Sequence, residues 1–297
     1  MGDPPRALLG RPGLRTWIFT LAISLTVLVA SAIASHFVEA RYDARAIDIR
    51  DGEIQAIKNI PPVGQRKIPA VIVFGTSLVE AATKRAGLRE QFPSSIQLVI
   101  LIGQLGSRAP IEDLVPFIHE VHPDLVLIEA NLIHRPDEDP AFVRKVLHLE
   151  QAVFSQFRRK SENHSAAAGP PPSCAGLVLR RSAEVGDMVE QYRHWFPTHD
   201  LLMERLPLLL ELQADGIQVG VLNMPRAVEL EAAAPNLVGF RNAMAEAMAE
   251  HGIAMWSAPG DWPTDLFCDM SHLNHDGAIL FDKWFSGRLK QALNLPQ

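Results

Sequence analysis

The sequence is short of cysteine and carries no surplus of basic charge. Lys and Arg together number 28 against 34 Asp and Glu, for a formal net charge of −6. A nucleic-acid-binding domain usually shows a basic face, so the balance gives no support for a nucleic-acid partner. Only two cysteines are present, Cys174 and Cys268. In an oxidising compartment such a pair can bridge, but spacing along the chain does not fix Cα separation. Two unpaired thiols are the default expectation. No internal repeat is visible, so a solenoid is not indicated. His and acid residues do cluster as Cys268, Asp269, His272, His275 and Asp276. Residues of these types can ligate a metal, yet the spacing matches no recognised zinc signature. No metal and no cofactor is expected.

A third lack is local. From Thr16 to Val38 there is no Asp, Glu, Lys or Arg. A run of that length and polarity fits the roughly 20 residues a helix needs to cross the hydrocarbon core. Arg6, Arg11 and Arg15 precede it, and Glu39 and Arg41 follow. Positive charge on the amino side holds that end in the cytoplasm. The expectation is a cytoplasmic N-terminus at 1–15 and a single-pass signal anchor at 16–38. The rest of the chain then lies on the periplasmic side of the inner membrane. A cleaved signal peptide is the alternative, since Ala32-Ile33-Ala34 before Ser35 resembles a small-x-small cleavage site. Either reading puts the body of the protein outside the cytoplasm.

What is present downstream is alternation. Residues 39–68 read as a polar juxtamembrane linker ending at Pro61-Pro62. Five short apolar runs follow at 70–75, 96–103, 124–130, 217–225 and 253–259. They are apolar on both phases, as parallel strands covered by helices are. Helical patterns lie between them, two of which stop at Gly216 and Gly252. Strands alternating with helices imply one α/β domain with a parallel sheet, here residues 69–297. The stretch 136–200 interrupts the rhythm. It reads as an insertion with a helix candidate near 140–160 and an Ala-, Pro-, Gly- and Ser-rich surface loop or flap.

In an open parallel sheet, ligands bind beyond the carboxyl ends of the strands. Four features fall there. Ser77 follows the first run in "VIVFGTSLVEAA". Gly103 and Gly106 follow the second in "GQLGS". Asn131 follows the third in "IEANLI". Asp269 and His272 follow the last in "FCDMSHLNHDG". Serine attack on an acyl carbon needs a base for the hydroxyl proton, an acid that orients the imidazole, and donors for the oxyanion. Ser77 supplies the hydroxyl, His272 the base and Asp269 the orienting acid. The N–H groups of Ser77 and Gly106 and the Asn131 amide are candidate donors. Each residue also has a plainer role open to it. Ser77 is suited to capping the helix that follows, Asp269 to an Asx-turn, Asn131 to a strand-end turn, and His272 to a bond with a backbone carbonyl.

These blocks, in this order, resemble the SGNH (GDSL-type) hydrolase superfamily over roughly residues 69–293. The "DMSHLNHDGAILFDKW" ending is the most specific part of the match. It is similar to the membrane-anchored branch that includes D-alanyl transfer proteins and alginate-type O-acetyltransferases. The resemblance implies a three-layer α/β/α sandwich with a five-stranded parallel sheet. It implies a serine esterase or O-acyltransferase with Ser77 as nucleophile, His272 as base, Asp269 as its partner, and Gly106 and Asn131 as oxyanion donors. It implies acylated glycans or other cell-envelope esters as substrates and a membrane-bound acyltransferase as a partner. A non-catalytic member of the same fold, binding a glycan or such an acyltransferase, is the alternative.

Two departures stand out. The family pattern places Asp before the serine, where this chain has Thr76. The third block usually reads Gly-x-Asn-Asp, and here it is Glu129-Ala130-Asn131-Leu132. His134 or a backbone N–H is a substitute donor for Asn131, and Gly103 an alternative to Gly106.

Overall fold

The computed structural model describes residues 13–85, 95–102, 111–133, 203 and 205–296. Gly103, Gly106, His134, Cys174 and the expected insertion at 136–200 lie outside the described residues. The chain divides into two compact units, residues 1–44 with 139–165 and residues 45–138 with 166–297. The first contributes the start of helix α1, Leu14–Lys58. Trp17, Ile18, Phe19, Leu21, Ile23 and Leu25 are all exposed on it. Among the described residues no helix is long and apolar enough to cross a membrane. The expected span falls within α1, but the side chains of 27–46 are outside the described residues.

The second unit holds the sheet. Its strands are β1 (Ala70–Gly75), β2 (Gln97–Ile102), β3 (Leu125–Glu129), β4 (Gln218–Asn223) and β5 (Ala254–Ser257). All pairings are parallel, in the order β2-β1-β3-β4-β5. The run at 70–75 is a strand over its full length, and each of the other four contains one that begins one residue later than expected. Every residue of β1 and β3 is buried, whereas β2 and β5 at the edges are mixed. Central strands covered on both faces need apolar residues on both phases. A fully buried Leu or Ile contributes about 1.5–3 kcal/mol relative to exposure, so this ribbon is the anchor of the fold.

Helices cover both faces. Helix α2 (Ser77–Arg85) follows β1 directly. A 3₁₀ turn at Ile111–Leu114 leads into α3 (Val115–Val121). The short turn α4 is Ala130–Ile133 and α5 is Leu206–Ala214. Helix α6 (Val228–Ala233), which no pattern in the sequence announces, precedes α7 (Pro235–Glu250). The last helix, α8, spans His275–Ala292. It packs on α2 and reaches β5 through Phe285, whose ring centroid is 6.2 Å from that of Trp256. On the other face α3 meets α5, where His119 Nε2 lies 3.2 Å from Glu211 Oε1. The result is a three-layer α/β/α arrangement around a five-stranded parallel sheet.

The stretch after residue 38, expected as a linker, is helical to Lys58. Ile57 and Ile60 are fully buried in the core and Ile54 packs against it. Pro61 and Pro62 follow, and a residue before proline is pushed out of the α region. An Arg50–Asp113 ion pair at 2.9 Å and the Lys58 ammonium 4.8 Å over the Phe117 ring add contacts.

Candidate active site

The strand order reverses direction between β1 and β3, the crevice where ligands bind in such sheets. Ser77 leaves β1 there and Asn131 leaves β3. The turn at Ser77 is tight. A Cβ on Gly75 would lie 2.3 Å from Val79 Cβ, so only glycine lets α2 fold back this closely over its strand. Ser77 is the first residue of α2 rather than its cap. Thr76 takes that role, its Oγ1 accepting the Leu78 N–H at 3.2 Å. Thr76 is buried and Ser77 exposed. The capping task assigned to Ser77 therefore belongs to its neighbour, and the Ser77 hydroxyl is left for other work.

That hydroxyl lies 2.9 Å from His272 Nε2. On the far side of the ring, Nδ1 is 2.9 and 2.8 Å from the two Asp269 carboxylate oxygens. Three residues spread across 195 positions of chain form one hydrogen-bonded line. Both His272 and Asp269 are about one-fifth exposed.

The loop carrying them folds on itself. The Cys268 N–H donates to the His272 carbonyl at 2.8 Å, and Phe267 pairs with Leu273 in an antiparallel bridge. Inside that clasp, Asp269 Oδ1 accepts the N–H groups of Ser271 at 3.2 Å and His272 at 2.8 Å. This is an Asx-type turn, so the plainer role of Asp269 and the pairing role coexist. Met270 adopts φ 63°, a left-handed conformation that non-glycine residues rarely take. Its carbonyl accepts the Ala227 N–H at 2.8 Å. Just beyond, Asn274 caps α8 by accepting from the Gly277 N–H at 3.0 Å. A Cβ on Gly277 would meet the Leu266 carbonyl oxygen at 2.2 Å, so this approach too needs glycine. His275 and Asp276 open α8 and are exposed, where the Asp charge suits the helix dipole.

Burial pushes the Asp269 carboxyl up. The hydrogen bond and the charge of His272, together with the two backbone N–H donors, outweigh it and hold the group below its ordinary value. Asp269 is therefore a carboxylate at neutral pH, able to fix the imidazole tautomer and stabilise an imidazolium.

Asn131 sits on α4 with its amide committed in part, Nδ2 donating to Glu129 Oε1 at 2.8 Å. Glu129 closes β3 and is 1% exposed. It also accepts the Thr76 N–H at 2.5 Å and lies 3.0 Å from the Thr76 hydroxyl. The sequence reading took Glu129 only as a missing glycine. The usable signal was a carboxylate ending an otherwise apolar buried run, which demands partners.

A cavity of about 380 Å³ opens on the same edge of the sheet, beyond β4 and β5. Asn223, Arg226, Arg241, Ser257 and Trp262 line it. Its wall is tied to the His272 loop by the Ala227–Met270 bond. Cys268 is disulfide-bonded, which corrects the expectation of free thiols. The sequence offered no distance from which to see this. Among the described residues no group of three His, Cys, Asp or Glu side chains gathers in a way that would hold a metal ion.

The sequence matches no protein-family model and no curated protein. Among solved structures it is similar to a GDSL-like lipase from Bacteroides thetaiotaomicron, at 9% identity and a TM-score of 0.36, covering 75% of this chain and 89% of that one. It is also similar to a family two carbohydrate esterase from Clostridium thermocellum, solved with cellohexaose, at 10% identity and a TM-score of 0.38. That match covers 77% of this chain and 66% of the other.

Proposed function

We propose that the chain is a serine-dependent ester hydrolase or O-acyltransferase of the SGNH type. The observation that carries this reading is the Ser77–His272–Asp269 line, closed by contacts of 2.8–2.9 Å. Ser77 Oγ attacks the acyl carbon as His272 Nε2 takes its proton. Asp269 holds Nδ1 and stabilises the imidazolium that forms. The tetrahedral oxyanion is received by the Ser77 N–H at the amino end of α2, with Asn131 and Gly106 as the further donors. His272 then returns the proton to the departing alkoxide, leaving an acyl-Ser77 ester. Water releases the acid and makes the chain an esterase. A sugar hydroxyl takes the acyl group and makes it a transferase. In either case His272 removes the incoming proton, and Ser77 is restored.

Acetyl esters of cell-envelope glycans are the proposed substrates. A cavity lined by arginine, asparagine, serine and tryptophan supports a hydroxyl-rich ligand, since such groups combine hydrogen bonding with a flat apolar face. The uncharged run at 16–38, preceded by arginines, supports anchoring in the inner membrane with the sheet domain on the periplasmic side. A membrane-bound acyltransferase is the proposed donor partner. A purely binding role would tolerate a gap between Ser77 and His272, so the 2.9 Å contact supports the catalytic reading over it.

The deciding experiment is labelling with a fluorophosphonate probe and turnover of p-nitrophenyl acetate, followed by acetyl release from a panel of acetylated glycans. Wild-type labelling that is lost in Ser77→Ala is expected. Equal labelling of both proteins would sink the mechanism.

A further inference from the structure

We propose that Glu129 is a positioning residue for the nucleophile turn and the Asn131 amide, and that Glu129 and Thr76 are two halves of one exchange. The inference rests on the acyl-transfer reading above. The family pattern that the chain resembles has a carboxylate just before the serine and a glycine at the head of the third block. This chain has the reverse, a small hydroxyl residue at 76 and a carboxylate at 129. In the fold those two departures are in direct contact.

Glu129 is the last residue of β3, follows Leu125, Val126, Leu127 and Ile128, and is 1% exposed. A carboxylate in that place is tolerated only if hydrogen bonds satisfy it. Oε2 accepts the Thr76 N–H at 2.5 Å, and Oε1 accepts the Thr76 hydroxyl at 3.0 Å and the Asn131 amide at 2.8 Å. Charge-assisted bonds of this kind are shorter and stronger than neutral ones. The Thr76 hydroxyl is used twice, donating to Glu129 and accepting the Leu78 N–H at 3.2 Å. The residue before Ser77 is thus clamped through both its backbone and its side chain. The peptide that carries the Ser77 N–H is the next one along. A side-chain amide has two N–H protons. Glu129 takes one from Asn131 and so fixes the rotamer that holds the other. One buried carboxylate thereby sets two of the proposed oxyanion donors against each other at the β1/β3 crevice.

The test uses the full chain in detergent, p-nitrophenyl acetate as substrate, and fluorophosphonate titration to count competent Ser77. Glu129→Gln keeps the shape but turns an acceptor into a donor facing Thr76 and Asn131. Its kcat per competent site should fall about 10- to 100-fold, at or below the roughly 10²- to 10³-fold cost of deleting an oxyanion donor outright, with KM within about twofold. Glu129→Gly should lose at least as much, and adding Thr76→Asp should restore at least about tenfold by supplying the carboxylate from β1. Thermal melts followed by circular dichroism separate this from misfolding. An unchanged kcat in Glu129→Gln overturns the positioning role. A folded Thr76→Asp/Glu129→Gly protein no better than Glu129→Gly overturns the exchange. If neither single variant folds, turnover by the double variant carries the proposal and an unfolded double variant overturns it. A wild-type chain that neither labels nor turns over ester removes the acyl-transfer reading and this role with it. Wild-type activity with an unaffected Glu129→Gln removes this role alone.

Discussion

The two halves of the candidate site are held by different means. Ser77 stands at the end of a strand whose every residue is buried, on a turn that Gly75 and Val79 close to contact distance. Asp269 and His272 stand on a loop that seats Phe267 and Leu273 in the core but sets its two polar side chains by its own hydrogen bonds and one left-handed residue, Met270. At Ser77 close packing leads, with the Glu129 hydrogen bonds beside it, and at the proposed base a local knot of hydrogen bonds leads. Packing fails through volume changes, whereas a knot fails through loss of individual bonds. The two halves should therefore respond to different substitutions.

The largest effect should come from Ser77→Ala, which removes the attacking atom. Ester turnover should fall by about 10⁴-fold or more, as when other serine nucleophiles are deleted. Asp269→Asn should come next, with kcat down about 10³- to 10⁴-fold through the wrong imidazole tautomer. Its thermal melt near neutral pH should show a folded protein, and a melt as poor as that of a core variant would contradict the idea that the Asp269 bonds act locally. Gly75→Ala tests the other half. It forces a methyl into Val79 and should cost about 1–3 kcal/mol of stability, read as a lower melting temperature.

The pH dependence of stability sharpens the contrast. The Asp269 carboxyl is held below its ordinary value in the folded chain, so its contribution is fully present above the unfolded value, about 3.9. It is lost as the pH falls through the lower folded value. The melting difference between wild type and Asp269→Asn should shrink on acidification, while the difference between wild type and Gly75→Ala should not. The smallest change is expected for Met270→Gly. Relief of left-handed strain and added freedom in the unfolded chain oppose each other at about 1 kcal/mol each. Turnover should hardly move, and a loss like that of Asp269→Asn would show that the Met270 side chain itself matters.

The strands were legible because burial on both faces leaves no room for polar residues, so five apolar runs mark five strands. The Ser77–His272–Asp269 line was legible because the proposed chemistry needs three residue types at strand ends, and a serine after the first strand with Asp269-x-x-His272 before the last helix stand in the order that the resemblance implies. Other parts were hidden by their physics. Capping at the start of α2 depends on which hydroxyl, Thr76 or Ser77, turns inward, and adjacent residues of equal propensity cannot show that. Glu129 depends on a partner 53 positions away. The extension of α1 to Lys58 arises from Ile54 and Ile57 meeting a core that sequence cannot display. Helix α6 has six residues, too few for a periodic pattern to emerge.

The hydrogen bond between Ser77 and His272 bridges 195 residues, and α8, the last helix, packs on α2, the helix that begins with the serine. This has a consequence in time. A chain made from its amino end exposes Ser77 early, with no His272 beside it. Contacts so distant in sequence form late, after the loop-closure entropy between them is met. Reactivity would then switch on only when the final helix docks, so a chain cut short anywhere before residue 272 is folded in part and chemically silent.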